Sequence, residues 1–273
     1  MKRFDIVVSN IKQTKKINAT CLKSTVNISI NPINSINTTV GTSGRFCNHF
    51  IRNMAAHFIS KKNNIKFRYS YYNDFKKLGI DLFVGNNTYN RNINLTDKNL
   101  INYIEEKDTR YNIKCIDYFQ IPEFSKILRD YITNSENKEK IMKNNKNNER
   151  YNNNNDLYVH VRLGDVKRFN PGFEYYDNAI SKSNFSKGYI SSDSINDPIC
   201  RKLIQKYNLI VFNGNEIETI LFASTCKHLV LSNGTFSWTI GVFGFFSNVY
   251  YPICKIKWNG NIFIFNDWNG IHI

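Results

Sequence analysis

DLYVHVRLGD, spanning Asp156–Asp165, opens with a β-branched and aromatic run and stops abruptly at Arg162, Leu163, Gly164 and Asp165. The run reads as a strand, and the polar end as its exit. The same pattern repeats downstream. Gly188–Ser191, Leu209–Phe212, His228–Leu231 and Val249–Tyr251 read as further strands. Helical patterns lie between them: Asp197–Tyr207 with Pro198 in its first turn, Glu216–Cys226 with Ile217, Ile220, Leu221 and Ser224 on one face, and the apolar stretch Thr235–Phe246. Alternating strands and helices predict an α/β fold, with a parallel sheet covered on both faces.

Working outward, the polar stretch Asn134–Asp156 carries almost no apolar side chains. Burial cannot repay its ordering entropy, so it reads as a linker, a surface loop or a frayed helix. It sets a boundary, with an N-terminal α/β half at 1–150 and a C-terminal half at 151–273. In the first half FDIVVS and TVNISI read as short strands. Gly41 and Gly44 form a flexible turn, and Phe46, Phe50, Met54 and Phe58 follow at helical spacing. Ile65–Tyr72 reads as a strand, completing a βαβ unit.

Composition bounds the function. With 41% hydrophobic residues among 273, the chain carries enough apolar matter for a core, which excludes a disordered class. The net charge of +15 attracts polyanions such as nucleic acid, membrane surfaces or phosphorylated small molecules. The lysines are scattered, however, and no nucleic-acid-binding module is recognisable, which leaves a nucleic-acid binder as a rival of lower rank. The six cysteines include no CxxC pair, so buried free thiols are expected. His49 and His57 lack the i, i+4 spacing of a helical metal pair, and no metal site is expected. The N-terminal apolar run is too short for a signal peptide, and no later run is long enough for a span. A soluble, cytoplasmic protein is the expectation. Trp258 and Trp268 read as C-terminal packing.

In an open parallel sheet, ligands bind at the carboxyl ends of the strands. Four such ends here carry polar residues: Arg162–Asp165, Ser192–Asp193, Asn213–Gly214 and Ser232–Ser237. In Ser232, Asn233, Gly234, Thr235, Phe236 and Ser237 a strand runs through a glycine turn into a helix. Unpaired N–H groups and hydroxyls there suit a phosphate, although the same residues also serve as plain helix caps. His160 and Arg162 face one side of their strand. The Arg162 fork fits phosphate oxygens, and Asp165 either pairs with it or acts on an acceptor hydroxyl. Glu174, in the loop after Pro171 and Gly172, is a second candidate base.

VHVRLGD resembles the HxRxxD segment of α1,2-, α1,6- and protein O-fucosyltransferases. KGYISSD, CKHLVLSNGTFSW and YYP follow in the block order of glycosyltransferase family 11, the α1,2-fucosyltransferases. GTSGRFCNHFIRNMAA is similar to that family's glycine-rich N-terminal block. The resemblance covers Val40–Ala56 and Asp156–Pro252. It implies a GT-B-like fold of two Rossmann-like halves with parallel sheets, the C-terminal half binding the donor. It further implies metal-independent, inverting transfer of fucose from GDP-fucose to a glycan or glycoconjugate hydroxyl. By resemblance Arg162 neutralises the pyrophosphate, His160 lies near the base and Ser232–Ser237 is the phosphate turn. Asp193 matches an acid at the next strand end, and Gly44 and Asn48 match the glycine-rich loop. Several positions depart from the family: Gly234 stands in the middle of its Asn-Ser-Thr block, and Thr239 in place of its second tryptophan. Leu163 stands where a second arginine is common. Thr219 stands where related enzymes read guanine with an acid, with Glu216 and Glu218 beside it. The alternatives are a transferase of another nucleotide-linked deoxysugar and an inactive glycan-binding protein.

Overall fold

The computed structural model describes residues 44–106, 108–254 and 260–273. The strands read in FDIVVS and TVNISI, Gly41 and Trp258 lie outside the described residues. The first element is helix α1, Phe46–Asn63. Phe46, Phe50 and Met54 are buried as the spacing predicts, but so are Arg52, Asn53 and His57. Neighbours enclose the helix on several sides, and its polar groups are spent on backbone. His57 Nδ1 accepts from Phe83 N–H (3.0 Å), Arg52 Nε donates to the Asp117 carbonyl (3.1 Å) and Asn53 donates to the Ser70 carbonyl (2.6 Å).

The strand expected at Ile65–Tyr72 does not form. Ile65 makes one parallel bridge to Asn87, and the chain then runs irregularly to helix α2, Tyr72–Lys77. The reason is local: Ser60 Oγ and the Asn53 amide take the Ile65 and Ser70 carbonyls that a neighbouring strand would need. A small βαβ unit forms later. Strand β1 (Asn92–Leu95) leads through helix α3 (Leu100–Glu105) to a parallel partner, β2 (Asn112–Cys115).

The polar stretch is ordered. Helix α4 (Pro122–Thr133) is followed directly by α5 (Ser135–Asn144), whose first turn is capped by Asn134 and whose Ile141 is buried. Asparagine amides fasten the segment. Asn145 donates to the Leu221 carbonyl (2.8 Å) and Asn154 to that of Thr225 (2.9 Å). Of the alternatives read for this stretch, a helix is the one that forms. Amide hydrogen bonds stand in for the missing apolar contacts.

The central sheet follows. Its strands are β3 (Leu157–Val161), β4 (Gly188–Ser192), β5 (Ile210–Val211), β6 (His228–Val230), β7 (Asn248–Ile253) and β8 (Asn269–His272). The order across the sheet is β5-β4-β3-β6-β7-β8, and every neighbouring pair is parallel. This is the order of a doubly wound, Rossmann-like sheet. Helices α6 (Phe173–Ser181), α7 (Pro198–Tyr207), α8 (Glu216–Ala223) and α9 (Thr235–Phe243) form the crossovers.

Strand periodicity sorts the core. Leu157, Val159 and Val161 pack with Tyr175, Tyr176, Ile180 and Leu203 of α6 and α7. Tyr158, Leu229 and Leu231 join the larger cluster of α1, α4, α8 and α9. That cluster also holds Phe50, Ile132 and Ile141, and the Phe50 and Phe243 rings lie 5.9 Å apart. The boundary read at residue 150 therefore runs through one continuous core. The five cysteines among the described residues are buried, and Cys47, Cys115, Cys200 and Cys226 carry free thiols. No described helix is long and apolar enough to cross a membrane.

Candidate active site

The chain runs from β3 outward to β5, returns to β6 beside β3, and continues to the other edge. The carboxyl ends of β3 and β6 therefore diverge into a crevice at the reversal of strand order, where doubly wound sheets bind ligands. A cavity of about 570 Å³ occupies it. Its walls come from 44–48, the ends of β3, β4 and β6, the loop 212–216, Thr219 and the start of α9.

At the end of β3, Arg162 donates to both Asp193 and Asp165, at 2.5 Å in the second case. Asp193 also accepts from Leu163 N–H at 2.9 Å. Gly164 permits this crowding. It sits at φ +31°, and a Cβ there would lie 2.6 Å from an Asp193 carboxylate oxygen. From across the cleft, Arg45 reaches Asp165 at 3.1 Å and Asp193 at 3.8 Å. The hydrogen bond from Arg162, helped by the Arg45 charge, holds the Asp165 carboxyl below its usual range. So held, Asp165 is a poor base until a cation leaves it.

His160 is enclosed by α9. Its Nδ1 lies 2.7 Å from Ser237 Oγ and its ring meets Phe236 edge-on at 4.9 Å. Burial, then the Arg162 charge, pushes the imidazole down to about 3, so it is neutral at physiological pH. The unfolded chain takes up this proton below about 6.5 and the folded one does not until about 3. The stabilising contribution is therefore complete above about 6.5 and is lost as pH falls through that window. We expect His160→Gln to lose less stability than the parent between pH 7 and pH 5 in urea titrations. His57, pushed to about 4 by burial, supplies a background of the same sign in both proteins. Parallel pH profiles would overturn the assignment.

Gly234 caps α9 at φ +130° with no side-chain acceptor. The Trp238 N–H makes the first helical bond, to the Gly234 carbonyl at 3.0 Å. The N–H groups of Thr235, Phe236 and Ser237 lie ahead of it, at the positive end of the helix dipole. Asn48 Oδ1 accepts from Thr235 Oγ1 (3.0 Å) and Gln120 Nε2 (3.1 Å), tying α1 to this turn. Gly44, at φ +92°, has no Cβ to strike the Asn48 side chain beneath it.

Arg162, Asp165, His160, Asp193, Gly44, Asn48 and the run Asn233–Ser237 thus line one cleft. Three sequence-selected residues do not. Ser232 is buried behind the turn, where it accepts from the Tyr176 hydroxyl (2.9 Å) and donates its N–H to Ser237 Oγ (2.9 Å). Glu174 is not in a loop but on the exposed side of α6, whose Tyr175 and Tyr176 face the core. Glu218 falls outside the lining because Glu216 and Thr219, three apart on α8, take the cleft-facing side. Arg45, Ser191 and Glu216 line the cleft and were not selected as site residues. Arg45 stood in the quoted glycine block between Gly44 and Asn48, which was its one signal. Beneath the cleft the Tyr158 and Ser191 hydroxyls are buried, with Ser191 and Thr219 beside the Tyr158 hydroxyl. Among the described residues no group of three metal-capable side chains occurs.

No family model, curated protein or solved structure matches the chain.

Proposed function

We propose that the protein is an inverting glycosyltransferase of the α1,2-fucosyltransferase kind, moving fucose from GDP-fucose to a glycan hydroxyl within a GT-B-like architecture. One observation carries this: four sequence blocks, far apart in the chain but ordered as in that family, meet in a single crevice at the switch point of the sheet. The chemistry follows from its parts. As the bond to the sugar breaks, charge grows on the β-phosphate. Arg162 and the α9 N–H groups are fixed donors for that charge, and donors already in place cost no reorganisation at the transition state. Asp165 takes the proton of the acceptor hydroxyl. The neutral His160 and the loop 212–216 border the base.

A second donor class stays in view for a specific reason. Thr219 lines the cleft where an acid would read guanine, and the cleft's nearby acid is Glu216. A thermal-shift panel of GDP, UDP, dTDP, CDP and ADP separates the two, since a ligand of the folded state raises the melting temperature by mass action. We expect GDP to stabilise selectively, and transfer from GDP-fucose to survive EDTA. Selective stabilisation by UDP or dTDP would move the donor. No response to any would sink the glycosyltransferase reading.

A further inference from the structure

We propose that Arg45 is the second cation of the donor site: Arg45 and Arg162 together clamp the diphosphate, whose oxygens replace Asp165 and Asp193 on the two guanidinium groups. This rests on the nucleotide-sugar reading above and extends it.

Three observations carry it. First, among the described residues Arg45 and Arg162 are the two arginines or lysines lining the cleft, against Asp165, Asp193 and Glu216. A diphosphate with two or more negative charges needs both. Leu163, the neighbour of Arg162, is fully buried in the core under α6 and α7, so the β3 end offers no second cation. Second, the two arginines already share the same two carboxylates. A guanidinium fork that fits a carboxylate fits a phosphate equally well. The exchange swaps like for like. Third, Arg45 is firmly rooted and loosely ended. Its carbonyl accepts from the Asn48 and His49 N–H groups at 2.8 and 3.2 Å, and Asn48 in turn is bonded to Thr235 at the phosphate turn. Its side chain, in contrast, is 66% exposed, so leaving the carboxylates costs little.

The exchange has a chemical consequence. Once phosphate oxygens draw the arginines away, Asp165 recovers its basicity. It then accepts the proton of the acceptor hydroxyl, the hydroxyl oxygen bonds to the anomeric carbon, and the bond from that carbon to the β-phosphate oxygen breaks. Its electron pair leaves with the nucleoside diphosphate between Arg45 and Arg162. Donor binding thereby switches on the base, which predicts that donor binds before acceptor.

Calorimetric titration of GDP into the full chain tests this with four variants, at Arg45, Asp165 and Arg162. Arg45→Ala is expected to weaken GDP by ~10- to 100-fold, the range of a charge-assisted contact. Arg45→Lys should recover part of that loss, because the charge returns without the fork. Asp165→Asn should tighten GDP several-fold, because a competitor for both guanidiniums has become neutral. A merely structural Arg45 would not be rescued by the charge that lysine restores. GDP binding unchanged in Arg45→Ala but lost in Arg162→Ala would overturn this proposal and leave the donor site standing. So would weaker GDP binding in Asp165→Asn. If the parent protein binds no GDP and no other diphosphate of the panel, the donor site and the clamp fall together.

Discussion

Arg162→Ala is expected to lower kcat/KM for sugar transfer by about 10²–10³-fold, with the fold intact. The loss should be large because the guanidinium is largely enclosed at the end of β3, where the proposed reaction develops its leaving-group charge. A donor already oriented in a partly desolvated site stabilises the transition state more than a solvated one. The fold should survive because neither carboxylate is stranded. Asp193 keeps the Leu163 N–H, and Asp165 keeps Arg45 and is itself exposed. Initial rates and a melting curve on the same preparation decide the matter. Near-normal turnover in a folded variant would remove Arg162 from the mechanism.

Trp238→Ala should cost about 3–5 kcal/mol of stability, measured as a fall in the urea midpoint. Trp238 is fully buried in α9, tilted against Phe265, with Nε1 donating to the Ile262 carbonyl at 2.8 Å. Ile262 O also accepts from Ser125 Oγ, so most of the cost comes from the cavity and not from an orphaned carbonyl. Trp238→Phe, which keeps much of the volume, should lose markedly less. Trp238 sits in the first turn of α9, bonded through its N–H to the Gly234 carbonyl of the glycine turn, so the alanine variant should also respond less to GDP. An unchanged midpoint would show that the turn does not depend on this anchor.

What could be read from the sequence was what local chemistry dictates. The Leu157–Val161 run, the Pro198 helix start and the Asn233–Thr235 turn each declare themselves within a few residues, and the sheet's polar strand ends followed from them. What could not be read depends on distant partners. Helix α6 hides behind Pro171 and Gly172: its buried Tyr175, Tyr176, Ala179 and Ile180 share one face, but the helix is only nine residues long and its pattern covers little more than one turn. Strand β8 is a short, glycine-containing segment that exists because β7 pairs with it. Arg45 joins the site through ion pairs to residues more than a hundred positions away, and no spacing rule announces such a partner. Glu174 is picked out by its place after Pro171 and Gly172, and Glu218 by standing beside Thr219, whereas the helix face decides which acid meets the cleft.

The core that crosses residue 150 limits how such a protein can change. Rings of α1 interlock with those of α9, and Asn48 of one helix is bonded to Thr235 of the other. A chimera that joined this C-terminal half to the N-terminal half of a different protein would mismatch both the packing and the turn. A change in what the crevice binds is therefore expected to arise by substitution inside the loops around it, with the two halves inherited together.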